Sequence, residues 1–377
     1  MTTDIPASGP SQTGHIIEDR YAPAESGELA ALAQVLNGGQ LSGGAPIIAA
    51  YEDALASFFG SRYAVAVNSG SSALHAALVT VGAAPGSEVI VPAVAPLPTA
   101  LPILTCGATP VIVDVLPGTL AIDPDDLRRA ITSRTKAVIA VPLWGYPVDT
   151  SAAESILAES GIPLIEDAAQ AHGSRLNGRF VGTHGVIGCF STHDRKPLST
   201  GEGGFILTSD PSLYERVEYY TRLGRLRGSH GVNYKLAAPL AAIGLHRLAH
   251  LGNHLAARAR RAQRILDALP VGGWLRELEH PPGSTPNYYS LVLTSENPGN
   301  LAQQFANAGL PPDSVRYRYR PLYHQPVFRP YARACPHAEA VTTATFQLPV
   351  HPGLTSAQLE WTIRTVAHFA NHGSEQT

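Results

Sequence analysis

The chain has 377 residues, a formal net charge of −3, 44% hydrophobic and 15% charged residues. That length exceeds what one simple core fills and predicts a large and a small domain; the near-neutral charge gives no electrostatic reason for a nucleic-acid or anionic-membrane partner. No apolar run approaches the ~20 residues that cross a bilayer, and the opening MTTDIPASGPSQTGHIIEDRYAP lacks the basic-then-apolar order of a secretory signal.

In chain order, the polar residues 1–24 predict a mobile segment. Helical spacing begins near Glu25 in SGELAALAQVLNGG, with Ser26 as its cap and a glycine pair at its end, and a second helix follows in PIIAAYEDALASFFG. Seven short runs then read as strands: YAVAVNSG, EVIVPAVA, TPVIVDV, KAVIAVPLWG, IPLIEDAAQ, VIGCFSTH and GGFILTSD. Their Val and Ile residues show little polar alternation, the pattern of strands buried on both faces. An α/β large domain over 25–255 with a mostly parallel sheet is therefore expected. After the long helical stretch LAAPLAAIGLHRLAHLGNHLAARARRAQRILDAL the character changes, and 256–377 predict a smaller α+β domain. Within it, the alternation of VRYRYR predicts a strand with Arg316, Arg318 and Arg320 on one face and Tyr317 and Tyr319 on the other. Such a strand is either an edge guarded by charge or a face that binds substrate hydroxyls or carboxylates.

Cys106, Cys189 and Cys335 are widely spaced and form no CxxC pair, which predicts reduced thiols in a cytoplasm and no metal site. Lysine occurs only at positions 136, 196 and 235. Lys196 lies in CFSTHDRKPLSTGEGGFILTSD, between a strand and a glycine turn, either a surface lysine before a hairpin or an amine whose pKa partial desolvation lowers so that it becomes nucleophilic. Lys136 opens the strand KAVIAVPL and reads as an edge lysine; Lys235 follows Asn233 and reads as an anion or substrate contact. Two other strand ends matter. VNSGSSALHAAL puts Ser69, Gly70, Ser71 and Ser72 at a helix start, either a simple cap or a cup for phosphate. PLIEDAAQAHGS ends a strand in Glu166 and Asp167, and a buried Asp seeks a cationic partner such as a protonated ring nitrogen. A phosphate cup, an Asp and a lysine amine together are what pyridoxal 5′-phosphate needs from a protein.

The motifs SGSSALHAAL, VIVPAV, EDAAQAHGS, FSTHDRKPLSTGEGG, GVNYKLAAPLAAIGL and LPVHPGL occur in that order, and the chain resembles the DegT/DnrJ/EryC1/StrS family of sugar and cyclitol aminotransferases. The resemblance implies the fold type I architecture of pyridoxal-phosphate transferases. It further implies that Lys196 forms the Schiff base, that Asp167 pairs with the pyridine nitrogen and that Gln170 approaches the ring hydroxyl. Gly70, Ser71 and Ser191 would hold the phosphate, and Asn233 would reach the partner's phosphate in a homodimer with shared active sites. The implied reaction moves an amino group from glutamate or glutamine to a keto-sugar or ketocyclitol in specialised-metabolite biosynthesis. Two departures keep other readings open, a dehydration on the same fold or a cofactor-holding regulator without turnover. Pro96 stands where the family has an aromatic, with Pro98 and Pro102 set to disturb the following helix, and Ala238 replaces a glutamate. His193 fills either a hydrogen-bonding or a direct role.

Overall fold

A computed structural model describes Ile17, residues 26–226, 228 and 230–372; the segment 1–24 otherwise lies outside the described residues. Each Val/Ile run forms a strand: β1 (Tyr63–Val67), β2 (Glu88–Pro92), β3 (Thr109–Val113), β4 (Thr135–Ala140), β5 (Leu164–Asp167), β6 (Ile187–Ser191) and β7 (Gly204–Thr208). They form one seven-stranded sheet in the order β1-β7-β6-β5-β4-β2-β3. β7 is antiparallel to both of its neighbours, β1 and β6, and every other pairing is parallel. The absence of polar alternation has the expected cause, since all five residues of β2 and all five of β7 are buried. Lys136 belongs to β4, a central strand, so its assignment to an edge is corrected; its side chain is nevertheless exposed.

Helices cover both faces. On one side, Tyr51, Leu55 and Phe59 of α2 (Pro46–Phe59) pack on Phe190 and Phe205, whose rings stack with centroids 4.4 Å apart. On the other, Leu74 of α3 (Gly70–Thr80) and Ile103 of α4 (Leu97–Thr105) bury Val89, Ile165 and Ile187. α4 forms despite its prolines: Pro98 falls in the first turn, where its missing N–H has no intrahelical acceptor to lose, and Pro102 is accommodated within the helix. The helix Glu28–Gly38 is capped by Gly27 instead of Ser26. That position is left-handed (φ 101°), and a Cβ there would come within 2.7 Å of the His246 ring, so only glycine suits it.

α5 (Ala238–Leu266) is continuous through the 255/256 boundary expected from the sequence. Its Leu248 and Leu251 pack with Phe59 and Phe190, while its Ala262 and Ile265 pack against a second core. That core lies on a three-stranded antiparallel sheet of β8 (Leu275–Glu277), β9 (Leu291–Ser295) and β10 (Thr345–Leu348), with α6 (Ser356–His372) alongside. The strand expected over VRYRYR does not form. Asp313–Arg316 is a single helical turn, and Arg318 is left-handed at φ 53°. The Asp313 carbonyl draws the Tyr317 and Tyr319 N–H groups into a local turn at 2.9 and 3.1 Å, which takes them from any ladder. The segment therefore has no two alternating faces.

Candidate active site

A cavity of about 500 Å³ opens at the C-terminal ends of β1, β5 and β6, where open α/β sheets bind ligands. Gly70, Ser71, Asp167, Gln170, Ser191 and Lys196 all line it, as do His193 and Pro96. At the start of α3, Ser69 caps the helix by accepting the Ser72 N–H at 3.0 Å. The N–H groups of Gly70 and Ser71 belong to a first turn that has no intrahelical acceptors, a natural seat for an anion. A Cβ on residue 70 would lie 2.6 Å from the Ser191 Cβ, so glycine lets the helix start close against β6.

The lysine is held by a folded-back loop. The Thr192 N–H donates to the Gly203 carbonyl, the Asp194 N–H to the Gly201 carbonyl and the Lys196 N–H to the His193 carbonyl, at 2.8, 3.0 and 2.8 Å. Gly203 has φ 146°, and a Cβ there would strike the Thr192 hydroxyl at 2.4 Å, which explains the glycines after Lys196. The His193 N–H donates to the Ser191 hydroxyl at 3.3 Å, and its ring lies 4.0 Å from Glu202. Asp167 is buried at the end of β5, accepting from the Thr99 hydroxyl at 2.5 Å and the Ala169 N–H at 3.1 Å. Burial pushes its carboxyl up from the ordinary range, against the pull of those two donors and of the Lys196 charge. A cationic ring N–H at this carboxylate would relieve that desolvation. Gln170 accepts the Trp144 N–H at 2.7 Å through Oε1, which leaves its NH₂ as the donor end. His172, behind the lysine, is pushed down to about 3 by burial and then by the Lys196 charge. The group that the donor set fits is pyridoxal phosphate: an anion seat, a buried carboxylate and an amine share one cavity.

Asn233 stands apart. It is exposed and lies outside the cavity, in a segment bridged backbone-to-backbone to Arg222, with its neighbours Val232 and Tyr234 packed inward. Lys235 bridges to Val67 and does not line the cavity either. Sequence reasoning missed Thr99, Trp144, Arg258 and Tyr289. Thr99 hides in a proline-rich run, and Trp144 at φ 56° precedes a glycine that no Cβ could replace, since Asn287 Oδ1 would lie 1.8 Å away. Arg258 lies in the arginine-rich ARARRAQ stretch of α5, with nothing to mark it as buried. The lining also includes Arg316, Tyr317, Tyr319 and Arg320, and Arg195 of the lysine's own loop lies over the Tyr317 ring, 4.8 Å from its centroid.

The mostly parallel sheet, with lysine, aspartate and helix start at one crevice, defines a pyridoxal-phosphate-dependent enzyme of fold type I. The chain belongs to the DegT/DnrJ/EryC1/StrS aminotransferase family, whose model matches residues 24–367, and is a pyridoxal-phosphate-dependent aminotransferase. A GDP-perosamine synthase of Caulobacter vibrioides is 33% identical over 337 residues, covering 83% of this chain and 87% of that protein. An L-glutamine:2-deoxy-scyllo-inosose aminotransferase of Streptomyces kanamyceticus is also 33% identical, covering 87% of this chain and 84% of the other. The crystal structure of DesV from S. venezuelae superposes with a TM-score of 0.83 at 31% identity, covering 92% and 94% of the two chains. Among the described residues, no helix is long and apolar enough to cross a membrane.

Proposed function

We propose that this aminotransferase carries an amino group from glutamate or glutamine to the ketone of a sugar or cyclitol in specialised-metabolite biosynthesis, as a cytoplasmic homodimer. The observation that carries the reading is the convergence of Lys196, buried Asp167 and the α3 start on one cavity whose lining is rich in arginine. When bound, pyridoxal phosphate supplies an electron sink and a carrier for the amino group. Lys196 anchors it and, once displaced by the donor, takes and returns a proton at Nζ. Asp167 keeps the ring nitrogen protonated, and the carboxylate stays ionised because that cation offsets its burial. The Gly70 and Ser71 N–H groups and the Ser191 hydroxyl hold the phosphate. Gln170 orients the ring through its NH₂. Arg195, Arg316 and Arg320 favour substrates that carry a carboxylate or phosphate. The exposed position of Asn233, outside its own chain's cavity, supports a role in the neighbouring subunit's site.

The test takes the loaded protein alone with glutamate and, separately, with glutamine. Loss of the visible Schiff-base absorbance is expected with one of them, and borohydride reduction before adding donor should label Lys196. Mixing inactive Lys196→Ala and Asn233→Ala chains should restore activity, because one site of each mixed dimer collects both defects and the other none. A label on Lys136 or Lys235, or no response to either donor, overturns the assignment; failure to complement overturns the shared site.

A further inference from the structure

The lysine has a neighbour that lies outside the six motifs quoted above. Nζ of Lys196 lies over the Tyr289 ring, 5.1 Å from its centroid, within the range of a cation–π contact. Tyr289 comes from the chain entering β9, and its placement is tightly specified. Asn287, only 3% exposed, donates through Nδ2 to the Gln170 and His172 carbonyls, each at 2.9 Å, and accepts the Tyr289 N–H at 2.7 Å. Arg258, 1% exposed, donates through Nη1 to the carbonyls of Tyr288 and Tyr289, each at 3.1 Å. Between the two clamps Tyr288 is held at φ 53°, a left-handed conformation that a bulky residue keeps only where its surroundings over-determine it. One clamp grips the turn that carries Gln170. The other comes from the helix that joins the two cores. Both serve to deliver the aromatic face at residue 289 to the amine.

We propose that Tyr289 is a positioning residue for Lys196, whose ring face keeps Nζ in the cavity and favours the ammonium formed each time the amine takes a proton from the substrate. The proposal rests on the reading of Lys196 as the reacting amine. The charged or titratable groups that share the cavity with the amine, or stand behind it, are Asp167 on β5, His172 on the turn after it, His193, Arg195 and Glu202 on the lysine's own loop, Arg258 on α5, and Asp313, Arg316, Tyr317, Tyr319, Arg320 and His351. The Asp167, Glu202 and Asp313 carboxylates favour the ammonium and the four arginines oppose it. A substitution at residue 289 removes none of these groups, so comparison of ring-bearing with ring-free variants tests the ring.

The chain's shortage of lysine makes the measurement direct. Reductive ¹³C-methylation of the cofactor-free protein labels only Lys136, Lys196 and Lys235 beyond the α-amino group, and each dimethylammonium signal can be followed against pH by NMR. Tyr289→Leu should lower the Lys196 midpoint by about half a pH unit or more, and Tyr289→Phe, which keeps the ring, should hold it within a few tenths. Lys136 and Lys235 should not move. Residue 289 lines a cavity and is only partly buried, so these variants should fold; Tyr289→Met serves as the second ring-free variant should the leucine fail. An unchanged midpoint in the ring-free variants overturns the proposal. So does an equal fall in the phenylalanine variant, which would transfer the effect to the hydroxyl. The titration needs no turnover, so it is independent of the borohydride map: a label elsewhere removes the functional reading, whereas an unmoved midpoint removes only the role of Tyr289.

Discussion

The two walls of the cavity are built differently. The wall that holds Gly70, Asp167 and Ser191 is made of strand ends and a helix start, locked into the sheet by backbone ladders, with Asp167 fully inside the protein. The facing wall, residues 287–290 and 311–320, is irregular chain. Its conformation depends on side-chain clamps from Asn287, Arg258 and Asp313 and includes left-handed Tyr288 and Arg318. Regular elements fix a small set of distances closely, which suits the Gly70, Asp167 and Ser191 seat. Irregular chain can be re-cut without disturbing them, which suits the choice of substrate. The difference teaches that the seat proposed for the cofactor rests on regular elements, whereas Tyr289 and the arginines around it rest on tertiary clamps.

The separation makes opposite kinetic predictions for the two walls. On the regular wall, Asp167→Asn keeps the shape and the Thr99 contact but removes the charge that holds a ring nitrogen protonated. Turnover should fall roughly 100-fold or more, with KM changed little, as for the loss of an interaction made at the reacting centre. Activity within a few-fold of wild type would show that Asp167 does not serve the ring. On the irregular wall, Arg320→Ala should instead raise KM for an anionic substrate about 10-fold, the loss of a hydrogen bond to a charged group, while kcat stays within a few-fold. Steady-state kinetics with donor and acceptor varied in turn distinguishes the two patterns. A kcat defect in the arginine variant would blur the division.

The same division decides what can be read from the sequence. Lys196, Ser191 and the glycines after it lie within one short stretch, because a single loop folds back on itself to present the amine. The seven strands were legible because burial on both faces forces unbroken Val/Ile runs. Nothing comparable marks the other wall. Tyr289 is one of two adjacent tyrosines, and its placement depends on Arg258, 31 residues away, and on Asn287, two residues before it, whose amide is anchored on the Gln170 and His172 carbonyls more than 100 residues away. VRYRYR has the period of a strand, but the bonds gathered by Asp313 override it. Ser26 had the chemistry of a cap and lost to Gly27 through contact with His246, about 220 residues away, a long-range constraint that local propensity does not encode.

A last prediction asks whether the rigidity of the regular wall leaves a thermodynamic trace. His172 is wholly buried between the sheet and α5, with its ring edge-on to Phe190 and Phe205 at 5.2 and 5.9 Å. Its pKa of about 3 lies below the ordinary 6.5, chiefly through burial, so the folded protein keeps it neutral at any pH above that value. The unfolded chain has no such constraint and takes up a proton as pH falls below 6.5. Between those limits the unfolded state binds more protons, so stability falls as pH falls. Glu166 and Asp167 are shifted the other way, upward by burial, so their contribution rises as pH falls through their folded pKa values and partly masks the histidine. The comparison must therefore be made between variants. In cofactor-free protein unfolded by urea at pH 7.5 and pH 6.0, wild type should lose roughly 0.8 kcal/mol more across that interval than His172→Gln does, the cost of protonating one histidine in the unfolded state alone. The absolute stability of the variant is irrelevant to the test, since only the two pH differences are compared. Equal losses in both proteins would mean that the folded state accepts the proton at residue 172, and that the wall behind Lys196 is more open to water than its packing implies.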